Sequence, residues 1–170
     1  MSELRTNRII PRDGIPSGAS GGIIQVVHTK RTTSFTTTSQ TYVDFMTANI
    51  TPTRSDSKIL VSFGLSAGTN GDVNHVYAAI FRDSTEIGSA TDTGSRSGAS
   101  AVWNNAAQQQ IFGGNQHLDS PATTSAITYR IKVRTSNTQT AYFGRSARDN
   151  NDAAFDGRSS SFLTLMEVSA

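Results

Sequence analysis

The sequence predicts an all-β fold, an antiparallel sandwich of short strands. Composition is the first reason. Of 170 residues, Ser and Thr account for 22 each and Gly for 14, while Lys occurs three times and Arg twelve times. Thr favours strands, and Ser, Gly, Asn and Asp favour the turns between them; few stretches have the Ala, Leu, Glu and Lys density of a helix. Alternation is the second. In Tyr129-Arg130-Ile131-Lys132-Val133-Arg134 apolar residues face one way and cations the other, the period of two that gives a strand one buried and one wet face. The third is rhythm: short strand-like runs and polar turns succeed one another from Ile23 onward, as in a sandwich or barrel.

Taken in order, Ile23 to Thr29 is the first expected strand. The Thr/Ser-rich stretch Thr32 to Thr41 suits either an edge strand or a loop, and Tyr42 to Ile50 follows. Lys58 to Ala67 carries the strongest signal, with Ile59, Val61, Phe63 and Leu65 on one face. Val73 to Arg82 is expected to pair with it. Asp83-Ser84-Thr85 then turns the chain into Glu86 to Ala90, a hairpin, and the Gly-rich Thr91 to Ser100 is a long loop. Ala101 to Asn104 and Ala106 to Leu118 come next, the second expected to break at Gly113-Gly114. Ile127 to Thr135, Thr140 to Arg145 and Ser161 to Val168 complete nine or ten strands. The last is apolar on both faces except for Thr164 and Glu167, which places it centrally in a sheet. The chain stops almost as soon as that strand does, so the expectation is a fold that closes there with no further domain.

Residues 1–22 differ from the rest. Leu4, Ile9, Ile10 and Ile15 lie among Arg5, Arg8, Arg12 and Asp13, and a Gly/Ser/Pro stretch follows. Pro11 and Pro16 oppose a helix, and the Gly/Ser run is a flexible or extended linker. The chain thus divides into an extended N-terminal arm, 1–22, and a β-sandwich domain, 23–170. Leu4, Arg5, Arg8, Ile9, Ile10 and Ile15 are the candidate attachment residues of the arm. The other reading is a solvated terminal tail, for which the aliphatic residues are odd choices.

Charge and composition also bound function. The net charge is +2, and the cations are scattered rather than clustered with aromatics, which argues against nucleic acid. No apolar run approaches the length of a membrane span, and residues 1–8 lack the apolar core of a signal peptide; the expectation is synthesis in a cytoplasm and no membrane insertion. With no Cys, thiolate metal sites and disulfides are out of reach.

Several segments carry a family resemblance. Leu118-Asp119-Ser120-Pro121 through Arg134, Arg145 through Asn151, Leu163 through Val168, and upstream Gly21 through Val27 and Ser57 through Val61 together resemble the C-terminal domain of tail-fibre-like virion structural proteins of tailed bacteriophages, especially marine ones. A second likeness lies in Ser57 to Gly88. There an apolar strand, a Gly/Asn turn, a second apolar strand and Arg82-Asp83-Ser84-Thr85-Glu86-Ile87-Gly88 resemble the strand–hairpin pattern of C1q/TNF-like jelly rolls. Together these resemblances imply a jelly-roll sandwich, a homotrimer, other virion proteins of tail or capsid as partners, and a virion assembled in the cytoplasm of a bacterial host. Phe35, Phe45, Tyr77, Phe81, Tyr142 and Phe143 are candidates to divide between core and subunit interface.

Three groups of residues are candidate sites. The densest polar cluster is the loop holding Arg145, Arg148, Asp149, Asp152, Asp156 and Arg158. Its acids and amides are potential Ca²⁺ ligands, but the spacing fails the helix–loop–helix calcium pattern and the arginines compete for the acids. It reads as a structural hydrogen-bonded loop with no metal. Trp103, the single Trp, with Asn104, Asn105, Gln108 and Gln110 reads either as a surface that takes a host glycan or as a strand with a half-buried anchor. His28, His75 and His117 show no metal-ligand spacing. No nucleophile elbow or activated thiol is present, and Asp149, Asp152 and Asp156 have cations rather than an apolar pocket beside them. The expectation is therefore a non-enzymatic virion protein without cofactors: a trimeric tail-fibre or tail-tip module touching the host, or a capsid decoration or head-fibre protein held by its arm. A polysaccharide-degrading enzyme is the weakest reading.

Overall fold

A computed structural model describes residues 22–70, 74–105, 110–151 and 156–170. Every regular element among them is a strand: β1 (Ile23–Arg31), β2 (Phe35–Thr37), β3 (Val43–Ile50), β4 (Lys58–Thr69), β5 (Asn74–Arg82), β6 (Thr85–Ile87), β7 (Ala101–Asn105), β8 (Gln110–Asp119), β9 (Ile127–Thr135), β10 (Ala141–Phe143) and β11 (Ser161–Val168). Two sheets form. In the first, β4 is flanked by β8 on one side and by β11 on the other, with β1 outside β11. Short β10 runs along the last residues of β4, beyond the end of β11, and β2 pairs with β10. In the second, β9 lies between β3 and β5, while β7 and β6 share the far edge of β5.

The pairing is nested. The first strand meets the last (β1·β11), then β3 meets β9, β4 meets β8 and β5 meets β7, all antiparallel. That is one long hairpin rolled up so that its layers fall alternately in two sheets, the topology of a jelly roll. The fold is thus the expected antiparallel jelly-roll sandwich.

Alternation supplies the core. Ile59, Val61, Phe63 and Leu65 of β4, Leu163 and Leu165 of β11, Val76, Ala78 and Ile80 of β5, and Ile127, Tyr129, Ile131 and Val133 of β9 point inward and are almost fully buried. Each large side chain so removed from water stabilises the fold by about 1.5–3 kcal/mol. In β3 a bulge between Asp44 and Met46 turns two successive residues, Phe45 and Met46, inward; the extra residue of a bulge breaks the strict alternation. Phe45, Phe143 and half-buried Phe35 close one end of the core, with ring centroids 5.0–5.9 Å apart. Tyr77, Phe81 and Tyr142 instead lie under cations, with Arg134 4.0 Å above Tyr77, Lys132 4.7 Å above Phe81 and Arg145 4.5 Å above Tyr142.

Two expectations need correction. β4 and β5 do not pair; each goes to a different sheet, because the roll sends β4 back to β8 and β5 to β9. Gly113 and Gly114 do not break β8, which runs through them opposite Leu65 and Gly64. The glycines are there for space: a Cβ on Gly114 would stand 2.9 Å from the carbonyl carbon of Phe63, and one on Gly113 would stand 2.8 Å from Nε1 of Trp103. The hairpin after β5 forms as expected, with Asp83 in the left-handed region (φ 53) and β6 limited to three residues. The stretch Thr32 to Thr41 contributes only the three-residue edge strand β2.

Candidate functional site

The loop between β10 and β11 is held by two fork-on-fork ion pairs. Arg148 donates to Asp156 through Nε (2.7 Å) and Nη2 (2.9 Å), and Arg158 donates to Asp149 through Nε (3.0 Å) and Nη2 (2.8 Å). Such bidentate pairs fix orientation as well as charge. Asp156 also accepts from Ser146 Oγ (2.9 Å) and the Asn150 amide (3.0 Å), and its side chain is only 3% exposed. The hydrogen-bonding Arg148 guanidinium, with help from those two donors, holds the Asp156 carboxyl well below the usual carboxylate range, and Arg158 does the same for Asp149. Asp149 sits at φ 45 and donates its own N–H to the Ser146 hydroxyl oxygen at 3.0 Å; Asp tolerates this conformation better than most residues. Arg145 closes the base, 3.7 Å from Asp149 and bridged to Arg158 through the backbone. Asp152 lies outside the described residues.

Between these pairs a cleft of about 330 Å³ opens, lined by Asp149, Asn150, Asn151, Asp156 and Arg158. Its carboxylates stay ionised to low pH and are already bound to guanidinium groups. They are poor general acids, since catalysis at neutral pH asks for a raised carboxyl pKa. Among the described residues no three His, Asp or Glu side chains converge as metal ligands. What the cleft offers is amide and guanidinium hydrogen bonding.

The structure joins this loop to one residue of the Trp103 group. The Gln110 side-chain amide lies 2.7 Å from Ser66 Oγ and 3.0 Å from Ser159 Oγ. With its oxygen accepting from both hydroxyls and from the Arg145 N–H (2.9 Å), its nitrogen donates to the Gly157 carbonyl at 3.2 Å. Gln110 therefore ties β8 and β4 to the base of the loop and is occupied there, not offered to a surface ligand. Trp103 is 5% exposed, its indole against Gly113 of the opposite sheet. The reading of Trp103 as an open platform for a sugar ring is corrected: the missing side chain at Gly113 leaves room for the indole between the sheets. Asn104 is exposed on the outer face opposite His75. Gln108 lies outside the described residues, as do Leu4, Arg5, Arg8, Ile9, Ile10 and Ile15 of the arm, and of Asn105 only the backbone, at the end of β7, is described.

Two buried polar clusters escaped the sequence reading. Glu167 is fully buried. It accepts from Gln25 Nε2 (2.6 Å) and from both the N–H and the hydroxyl of Thr53 (2.8 Å each). Burial alone would push its pKa up, but these donors outweigh burial and hold it below the ordinary Glu value. Asp119 accepts from Arg82 Nη1, shared between its two oxygens at 2.9 and 3.0 Å, and from the hydroxyl of fully buried Tyr129 at 2.6 Å. Burial first, and then the hydrogen bond to the carboxylate, push the Tyr129 hydroxyl pKa far up. The available signal was parity: Glu167 falls on the same side of β11 as Leu163 and Leu165, four and two residues back.

The described residues thus define a jelly-roll domain whose polar groups are spent mostly on each other. No protein-family model matches the chain, and no curated protein matches its sequence. Solved structures match it in fold. A chain in the structure of the infectious bursal disease virus Gt strain superposes with a TM-score of 0.51 at 13% identity, covering 98% of this chain and 43% of that one. The Gx strain gives 0.48 at 12% identity, over 98% and 42% of the two chains. The VP2 subviral particle of the same virus gives 0.47 at 13%, again over 98% and 42%. This chain spans about two fifths of the length of those it matches, and at 13% identity the Gt-strain likeness establishes the fold alone.

Proposed function

We propose that this chain is a non-enzymatic structural protein of a virus particle, a jelly-roll domain attached through residues 1–22. The observation that carries the reading is the nested jelly-roll topology, shared over 98% of the chain with a chain of infectious bursal disease virus. Jelly rolls also serve as lectins and cupins, and fold by itself does not assign function. The loop chemistry supports the choice: Asp149 and Asp156 are locked to arginines and kept ionised, which suits a rigid surface and not acid–base catalysis.

The resemblance of Leu118–Arg134, Arg145–Asn151 and Leu163–Val168 to tail-fibre-like phage proteins favours a trimeric tail-fibre or tail-tip module that contacts the host surface. The likeness to a chain of a virus structure favours the second position, a decoration or head-fibre protein on the shell. Gold-labelled antibodies on purified particles separate the two by where they bind, and particles without the protein would defeat both. Light scattering on the purified chain tests the trimer. Replacing Ile9 and Ile10 by Asp should abolish incorporation into particles while the circular dichroism of the sandwich stays unchanged; full incorporation of that variant would refute the attachment role of residues 1–22.

A further inference from the structure

The two outer faces of the sandwich are unlike. On the β3-β9-β5 sheet, aromatic rings lie beneath Lys132 and Arg134, and Asp44 pairs with Lys132 at 3.3 Å and with Arg130 at 3.6 Å. On the other sheet an apolar row crosses four of the six strands, β1, β11, β4 and β8, in register: Val26 opposite Met166, Met166 opposite Leu60, and Leu60 opposite Leu118. Ile23 opposite Val168 extends the row at the end where the chain enters β1. Ile23, Val26 and Leu118 are 59%, 55% and 48% exposed. Contiguous exposed aliphatic side chains of this kind mark contact surfaces in soluble proteins.

We infer that, in the unassembled protein, this row is covered by the chain's own N-terminal segment, with Ile9 and Ile10 seated on it. Three observations select that occupant. Gly22, which the segment runs into, is fixed beside the row: its N–H donates to Ser169 Oγ at 3.2 Å and its carbonyl accepts from the Ser169 N–H at 2.9 Å. The residues from Pro11 to Gly21 separate Ile10 from that point. Eleven residues span up to about 36 Å when extended, and four strands are only about 14 Å across, so a chain rich in Gly and Ser can turn back over its own sheet. A short flexible tether presents its end at roughly millimolar effective concentration, which favours the same copy over a neighbour. Finally, the sizes match. Six side chains make a seat for a segment with a few aliphatic residues, whereas a face-to-face pairing of two copies normally takes about 20–30 residues a side.

The test uses the full chain, whose lack of Cys makes introduced cysteines report unambiguously. A variant carrying Ile10→Cys and Leu118→Cys is oxidised mildly and run on non-reducing gels. A control pairs Ile10→Cys with Asn104→Cys, which is exposed on the opposite sheet. Intramolecular disulfide should form at least ten-fold faster in the first variant, and Val26→Asp added to it should remove that advantage. Equal rates in the two variants would overturn the inference. So would a mixture of the Ile10→Cys and Leu118→Cys single variants that forms its mixed disulfide as fast as the double variant closes its own, since the occupant would then be a neighbour's segment. Because the measurement needs only purified protein, its outcome is independent of where, or whether, the chain sits on a particle.

Discussion

Replacing Gly114 by Ala tests the rolled topology at its centre. Gly114 of β8 faces Gly64 of β4, and a methyl group there would stand 2.9 Å from the Phe63 carbonyl carbon, 3.0 Å from Gly64 Cα and closer still to the Phe63 oxygen. Carbon atoms prefer about 3.5–4.0 Å, so the two strands must part by roughly 0.5–1 Å. Their N–H···O bonds would then stretch from about 2.9 Å to nearly 4 Å, beyond useful range. Overpacking costs about 1–3 kcal/mol, and two lost ladder bonds add about 1 kcal/mol each. The expected loss is therefore about 3–5 kcal/mol, a large part of the roughly 5–15 kcal/mol that holds a domain together. Urea titration followed by circular dichroism reads it, and the melting temperature should fall by roughly 10–15 °C. Gly157→Ala is the control: nothing lies within 4 Å of its would-be Cβ, so its stability should stay within about 1 kcal/mol of wild type. If Gly114→Ala matched wild type within ~0.5 kcal/mol, the expected size of the loss would be wrong, and with it the β4·β8 register and the nested pairing built on it.

Acid should destabilise the domain in a defined window. Glu167, Asp149 and Asp156 all have folded pKa values below their ordinary ones; the unfolded chain therefore binds protons first, and the stability these groups contribute is complete above the unfolded values and is lost as pH falls through the folded ones. Urea midpoints should be level from about pH 5 to 8 and drop below about pH 4. Glu167→Gln should cost about 1.5–3 kcal/mol at neutral pH and flatten part of the acid limb, and an unchanged limb would remove Glu167 from the account. Asp119→Ala, which strands Tyr129 and Arg82 together, should cost about 2–4 kcal/mol, while Tyr129→Phe, which leaves the Arg82–Asp119 ion pair intact, should cost about 1–2 kcal/mol. Chemical denaturation of both variants gives the comparison, and a larger loss for Tyr129→Phe would reverse the assignment. The single Trp103 should emit at blue-shifted wavelength, resist acrylamide quenching and ignore added sugars; quenching at the rate of free tryptophan would contradict its burial against Gly113.

What was legible in the sequence is what is local. Alternation in Tyr129–Arg134 and in Ile59, Val61, Phe63 and Leu65 announced strands and their inward faces, because a period of two is a property of a few consecutive residues. Ser, Gly and Asp marked the turns for the same reason, and Asp83 does turn β5 into β6. Of the candidate site, the mutual engagement of Arg148 with Asp156 and of Arg158 with Asp149 was foreseeable from cations and acids sharing one loop. Partner choice was not. β4 and β5 are neighbours in sequence and part company in space, since each strand's partner is set by the closure of the whole roll and not by the turn between them. Trp103 read either as an open platform or as a half-buried anchor, because its seat is a vacancy on another strand, the missing side chain at Gly113. Gln110 looked available because Ser66 and Ser159, which engage it, lie 44 and 49 residues away. Glu167 meets Thr53 and Gln25 across 114 and 142 residues. By itself the sequence determined that the chain makes strands and which side of each is apolar, and only the tertiary structure decided which strands meet. That decision in turn settled which polar side chains are spent inside and which aliphatic ones are left facing out, because burial depends on neighbours that folding brings together from far along the chain.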